Sequence, residues 1–229
     1  MPEFLHVGIL PLVLTLGAYQ LGLLCRKVLK TPVANPILIS VVIIFCFMKF
    51  TGLPVATYQA GMTSITWMLT PATVSLAIPM YEQLKVLKKN FPAILAGVVS
   101  GAVSCLIMIL GFAALFGFDR ELTVSLLPKS VTNAIGVPLS QMSGGIASIT
   151  TVAILVTGIL ASIIGTACCR LFRLTNPVAQ GVAFGTAGHV IGTAKATELS
   201  AVTGATSSLA LVVAGILTAV IFPLLAGLL

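Results

Sequence analysis

Charge is what this sequence has least of. Twelve lysines and arginines and five acidic residues make up its whole complement, 7% of 229 residues, where an ordinary soluble domain carries about 25%. So few charges cannot cover the surface of a water-soluble fold of this length, so lipid must face most of the chain. Hydrophobic residues reach 58% and mean hydropathy +1.16. Catalytic signatures are missing too. There is no HExxH, GxSxG or P-loop, the only histidines are His6 and His189, and the sole aspartate is Asp119. These absences argue against an enzyme, and nothing calls for a metal or an organic cofactor. The five cysteines (Cys25, Cys46, Cys105, Cys168 and Cys169) form no CxxC pair and sit in or beside apolar runs. They read as small buried hydrophobes rather than disulfide partners or ligands.

What is present is a set of long uncharged runs. No Asp, Glu, Lys or Arg falls in 31–48, 50–81, 90–118, 130–169, 174–194 or 199–229. A helix needs roughly 20 apolar residues to cross the hydrocarbon core. The runs therefore hold about eight membrane-depth segments, all helical because backbone groups in lipid must be satisfied within the segment. They are continuously apolar rather than alternating, which excludes an outer-membrane barrel. The net charge of +7 is confined to short clusters: Arg26, Lys27 and Lys30; Lys85, Lys88 and Lys89; Arg170 and Arg173. Cytoplasmic anchoring explains that pattern better than nucleic-acid binding does. Residues 1–24 lack a basic leading segment and read as an uncleaved first span.

Loop charge orders the spans. Spans near 5–25, 33–52, 62–81 and 92–117, with both early basic clusters in the cytoplasm, make the N-terminus external and leave Asp119, Arg120 and Glu121 outside. A full crossing at 122–143 followed by a return at 146–169 would leave Arg170 and Arg173 outside as well. A segment at 122–143 that enters and returns avoids this. A weak repeat agrees. Ile135-Gly136 matches Ile191-Gly192, and Gly158-Ile159-Leu160 recurs as Gly215-Ile216-Leu217. The expected architecture is an all-α integral membrane protein with about six full spans and two re-entrant or broken helices. Four spans occupy 1–117, two related inverted units occupy 122–172 and 177–229, and both termini are external.

Lys129 is the costliest residue in this scheme. It precedes 40 uncharged residues and sits among Pro128, Ser130, Thr132 and Asn133. A lysine at the bilayer centre costs about 2.5–3.5 kcal/mol on insertion scales. It is tolerated where it snorkels to the interface, enters a gating pair or meets an anionic ligand. Pro128 lacks a backbone donor and disturbs the preceding turn. The stretch from Gly185 to Glu198 is the counterpart. Gly188 and Gly192 let the backbone unwind or helices approach. His189 is either a proton carrier near neutral pH or a neutral packed histidine. Lys195 either pairs with Glu198 three residues on or meets substrate. Pro71 and Pro79 break or kink the third span and could free carbonyls toward a cavity. Asn35-Pro36 reads as a helix cap followed by the first helical residue.

These strings resemble the LrgB/CidB family. The likeness rests on Asn35-Pro36, Pro71-Ala72 through Tyr81-Glu82-Gln83, Leu127-Pro128-Lys129-Ser130-Val131-Thr132, Gly144-Gly145, and Gly185-Thr186-Ala187 through His189, Ile191-Gly192-Thr193-Ala194-Lys195, with Gly204-Ala205 and Ser207-Ser208-Leu209-Ala210 beyond. The resemblance implies a bacterial cytoplasmic-membrane protein and two roles. One is carriage of small carboxylates such as glycolate, glycerate or pyruvate, with protons as a candidate co-substrate. The other is antiholin-like control of murein hydrolases with a small LrgA/CidA-like partner. A homo-oligomer is also expected. Carried onto this chain, the family motifs make Lys129, Ser130, Thr132, Asn133, His189, Thr193 and Lys195 the candidate substrate site. The chain departs from the family in two places. The usual Thr-Pro-Ile-Ala after Lys-Ser-Val-Thr is Asn133-Ala134-Ile135-Gly136 here, and the usual Ser before the histidine is Gly188.

Overall fold

A computed structural model describes residues 9–29, 31 and 34–229; His6 and Lys30 lie outside the described residues. All regular structure among the described residues is helical. Twelve helices follow one another: α1 Leu10–Leu29, α2 Pro36–Thr51, α3 Val55–Gly61, α4 Thr63–Trp67, α5 Leu69–Ser75, α6 Ala77–Glu82, α7 Leu84–Phe116, α8 Arg120–Leu126, α9 Asn133–Met142, α10 Ala147–Leu171, α11 Pro177–Leu199 and α12 Ala201–Ala226. Four of them (α1, α7, α10 and α12) are long and apolar enough to cross a membrane. Helix α2 is mostly apolar but only 16 residues long, with Lys49 in its last turn.

The chain divides into two compact units, one ending at Ser75 and one running from Leu76 to Leu229. In the first, α1 packs on α2. A side chain at Gly22 would meet the Pro36 backbone at 2.6 Å, so a bare glycine is required there. Asn35 caps α2 as its sequence predicts, its Oδ1 accepting from the Ile37 and Leu38 amides at 2.9 and 3.4 Å, with Pro36 at the first helical position. The Thr15 and Tyr58 hydroxyls lie 2.7 Å apart and join α1 to α3.

The stretch expected as one span at 62–81 is instead divided among the short helices α4, α5 and α6. Pro71 and Pro79 each stand third in a new short helix. Proline is tolerated in a first turn, where its missing N–H leaves no intrahelical bond unmade, but it clashes with a continuing helix upstream. Each proline thus starts a helix, and the break falls just before that start.

The second unit is organised by α7 and α12. Leu87, Ile94 and Val98 of α7 pack on Ala205, Ala210 and Ala214 of α12. Further along, Leu106 and Ile109 meet Phe222 and Ala226 together with Val124 and Leu127. The i, i+4 spacing of Ile94, Val98, Ala102 and Leu106 places them on one stripe. Between lipid-bathed helices there is no hydrophobic drive, so close packing carries association. Small residues make it possible: side chains at Gly97 and Gly101 of α7 would meet Val182 and Thr186 of α11 at 2.9 and 2.7 Å.

Two segments of this unit double back. Helices α8 and α9 have 7 and 10 residues, too few to cross, and a turn at 127–132 joins them. Their outer ends meet. Arg120 donates from Nη1 to the Ser143 carbonyl at 3.2 Å, and the Ile146 amide donates to Ser125 Oγ at 2.7 Å. Arg120 Nη2 also reaches the Ala226 carbonyl at 3.2 Å, which fixes the end of α12 at this mouth. Helix α11 is broken at His189 (φ 41°, ψ −136°). Its first half brings Gly181 against Thr203, and its second half brings Thr197 against Gly204, so it too returns to where it began. That mouth lies at the other end of α10, where Cys169, Phe184 and Ala196 share a core. The two hairpins therefore open at opposite ends of the unit.

Candidate functional site

The first hairpin's tip is built by Pro128. Helix α8 starts on an Asp119 cap, whose Oδ1 accepts from the Leu122 amide at 2.8 Å. It stops as the chain turns through Leu127 and Pro128, and the Lys129 and Val131 amides donate to the Leu126 and Pro128 carbonyls at 3.1 and 3.2 Å. These bonds satisfy the turn without a continuing helix. They leave Lys129 and Ser130 at the apex. Ser130 Oγ lies 3.1 Å from Cys105 Sγ on α7 and 3.5 Å from Lys129 Nζ. Among the described residues, no acidic side chain pairs with Lys129.

The second tip is built by His189. A positive φ in a residue with a side chain costs about 1–3 kcal/mol and persists where the surroundings over-determine it. Here they do. The His189 Nε2 is 2.8 Å from the Ile154 carbonyl of α10, and the ring lies over Gly158, where a Cβ would come within 2.5 Å of Cε1. Thr193 Oγ1 donates to the His189 carbonyl at 2.8 Å and lies 2.9 Å from Ser207 Oγ. Gly188 directly precedes the break. Gly192 faces the Phe184 carbonyl, where a Cβ would sit at 2.5 Å, so the returning half can lie against the first.

Between α7, the first tip, α10 and α11 lies a cavity of about 750 Å³. Its walls are mainly apolar (Met108, Ile109, Leu160 and Ile164 among them), and Lys129 and Ser130 supply polar groups, joined by Thr157 and Thr186. A roomy apolar pocket with few polar groups is the usual form of a small-molecule site. A single half-buried ammonium among such walls can attract an anion.

The residues singled out in the sequence separate into four groups. Lys129 and Ser130 line the cavity. His189 and Thr193 are buried, 3% and 1% exposed, and hold the second break in shape. Thr132 and Asn133 begin α9, Thr132 as its N-cap without a side-chain capping bond. Lys195 pairs with Glu198 at 2.8 Å on one face of α11. Sequence reasoning passed over Thr157, whose hydroxyl donates to the Ala153 carbonyl at 2.7 Å, and Thr186, although both residues line the cavity. It also passed over Cys105, read only as a buried hydrophobe.

The family model for the LrgB-like family matches residues 15–228, nearly the whole chain. No solved structure matches it.

Proposed function

The chain belongs to the LrgB-like family, and from that premise we propose that it carries small organic anions, carboxylates of the glycolate, glycerate and pyruvate kind, across the bacterial cytoplasmic membrane. One observation carries the proposal: Lys129, with no acidic partner among the described residues, stands at the tip of a doubled-back segment and lines an apolar cavity. Helix α8 runs 7 residues from Arg120 at the mouth, about 10 Å at helical rise, so Lys129, three residues beyond its end, lies roughly a third of the way into a ~30 Å hydrocarbon core. An ammonium at that depth costs several kcal/mol when it has neither water nor an anion. An anionic substrate offsets that cost for as long as it is bound.

We take the units 122–172 and 177–229 as an inverted pair whose broken segments meet from opposite sides, the geometry by which transporters alternate access. The opposite mouths of the two hairpins support this. With Arg170 and Arg173 beside the second mouth, the positive-inside rule puts that mouth in the cytoplasm and the C-terminus outside. On this reading the second unit holds three crossings, α7, α10 and α12, and two re-entrant segments.

The test is uptake of labelled glycolate into proteoliposomes, with glycerate, pyruvate and lactate as competitors, with and without a pH gradient. Saturable, competed uptake that falls at least tenfold in Lys129→Ala at equal insertion is the expected result. Stimulation by inward acidification would add proton coupling. Saturable uptake unchanged in the variant refutes the assignment of Lys129. Unselective leakage that scales with protein density refutes carriage and favours an antiholin-like regulator of murein hydrolases acting with an LrgA/CidA-like partner.

A further inference from the structure

The cavity is far larger than the acids assigned to it. Glycolate has five non-hydrogen atoms, and at the ~30 Å³ that one water takes in the liquid they fill roughly a fifth of its 750 Å³. Apolar space of the remaining kind is filled better by hydrocarbon than by water. Lys129 is the only charged side chain among the described residues that line it.

Most of that space lies to one side of Lys129. Ser130 Oγ stands 3.1 Å from Cys105 Sγ, which sets the level of the charged tip on α7. From there α7 runs back to Gly101 and Gly97, which face Thr186 and Val182 of α11, and Gly165 of α10 faces Phe184 of α11. Over the same stretch Leu160, Ile164, Cys168 and Phe172 of α10 all line the cavity. They are four residues apart and so form one stripe. Leu160, Ile164 and Phe172 are 49%, 48% and 72% exposed, so the second unit itself leaves this stripe uncovered. The run from Cys105 back to Gly97 spans about 12 Å at helical rise. An extended chain of nine carbons, at about 1.3 Å of rise for each ~1.5 Å bond, has nearly the same length.

We propose that the cavity also binds an unbranched monocarboxylate of about ten carbons, with its carboxylate on Lys129 and Ser130 and its tail along the stripe from Leu160 to Phe172. The two ends of such a ligand match the two chemistries of the slot, an ammonium without an acidic partner and a run of apolar wall. This rests on the carrier reading only in sharing Lys129 as the anion contact. Because one ammonium serves both ligands, the long acid excludes glycolate and so inhibits its carriage. Each buried methylene strengthens binding by about fourfold, so affinity climbs with chain length until the slot is full.

The test keeps one thiol at each end of the slot. Either Cys105 or Cys168 is retained, the other four cysteines are replaced by serine, and the protein in phosphatidylcholine vesicles is reacted with a small membrane-permeant maleimide. Millimolar glycolate is expected to slow labelling of Cys105 alone. Decanoate should slow both several-fold, and the protecting concentration should fall about tenfold or more for every two carbons added from butyrate to decanoate. Decan-1-ol, which has the tail without the charge, should need at least about tenfold more to protect Cys168, and so should decanoate on Lys129→Met. Decanoate that leaves Cys168 as reactive as glycolate does overturns the inference and leaves carriage intact. So does equal protection by decanoate and decan-1-ol. A Cys168 that resists the reagent with no acid present shows that a lipid or a second copy fills the slot, and it overturns the inference too. Protection of both thiols by decanoate with none of Cys105 by glycolate supports the slot and refutes Lys129 as the contact for small acids.

Discussion

Gly158→Ala is the smallest change that reaches the second helix break. A methyl on Gly158 would sit 2.5 Å from His189 Cε1, 2.7 Å from its Nε2 and 3.0 Å from Ile191 Cδ1. The first two atoms belong to a buried ring held by one bond to the Ile154 carbonyl, so the ring must move and that bond must break. Leaving a buried polar group unpaired costs about 1–3 kcal/mol. Forcing an extra methyl into a packed interior costs about 1–3 kcal/mol more. Against this, alanine gains about 1 kcal/mol over glycine within a helix. The net is a loss of about 1–5 kcal/mol. At about 2–4 °C per kcal/mol for a chain of this size, apparent Tm in detergent should fall by about 2–20 °C. The control is Gly111→Ala in α7, where nothing lies within 4 Å of an added Cβ; its Tm should match or exceed wild type by up to about 4 °C. Both would be read by differential scanning fluorimetry at one scan rate. A Gly158→Ala protein melting within 2 °C of wild type would refute the tight seating of His189.

Three further outcomes follow from the same geometry. With Cys25, Cys46, Cys168 and Cys169 replaced by serine, a small thiol reagent should still block uptake through Cys105, whose sulfur is 3.1 Å from Ser130 Oγ. Millimolar glycolate should slow that labelling several-fold, and unprotected labelling would count against the site. Asn176→Ala removes the acceptor that caps α11 at the Val178 amide, 2.8 Å away, and should cost about 1 kcal/mol, a fall of 2–4 °C in apparent Tm. The Lys195–Glu198 pair is 25% and 44% exposed, and exposed pairs contribute little. Lys195→Ala should therefore keep uptake within about twofold of wild type; a loss as deep as that of Lys129→Ala would show that the local pair is not its main role.

Much of the second unit could be read from letters alone because a few residues impose strong physical demands. Pro128 cannot continue a helix, and under the positive-inside rule Arg170 and Arg173 favour a doubled-back 122–143. The contact of Arg120 with Ser143 agrees with a segment that turns back. The capping pair Asn35-Pro36 carried its own geometry. Hydropathy failed at 62–81, because it measures apolarity and is blind to interruption by Pro71 and Pro79. His189 was placed in sequence among the substrate contacts. Its partner, the Ile154 carbonyl, lies 35 residues earlier and leaves no local pattern.

The central claim is that a positive charge at residue 129 binds the transported anion, and a charge series at that position tests it most directly. Initial rates of labelled glycolate uptake would be compared for wild type, Lys129→Arg and Lys129→Met at matched insertion. Methionine keeps the apolar stem and removes the charge, so kcat/KM should fall by about 100-fold or more, equivalent to the roughly 3 kcal/mol of a charge-assisted hydrogen bond. Arginine should retain a measurable part of the rate. Lys129→Met protein that transports glycolate with wild-type kcat/KM would contradict the account.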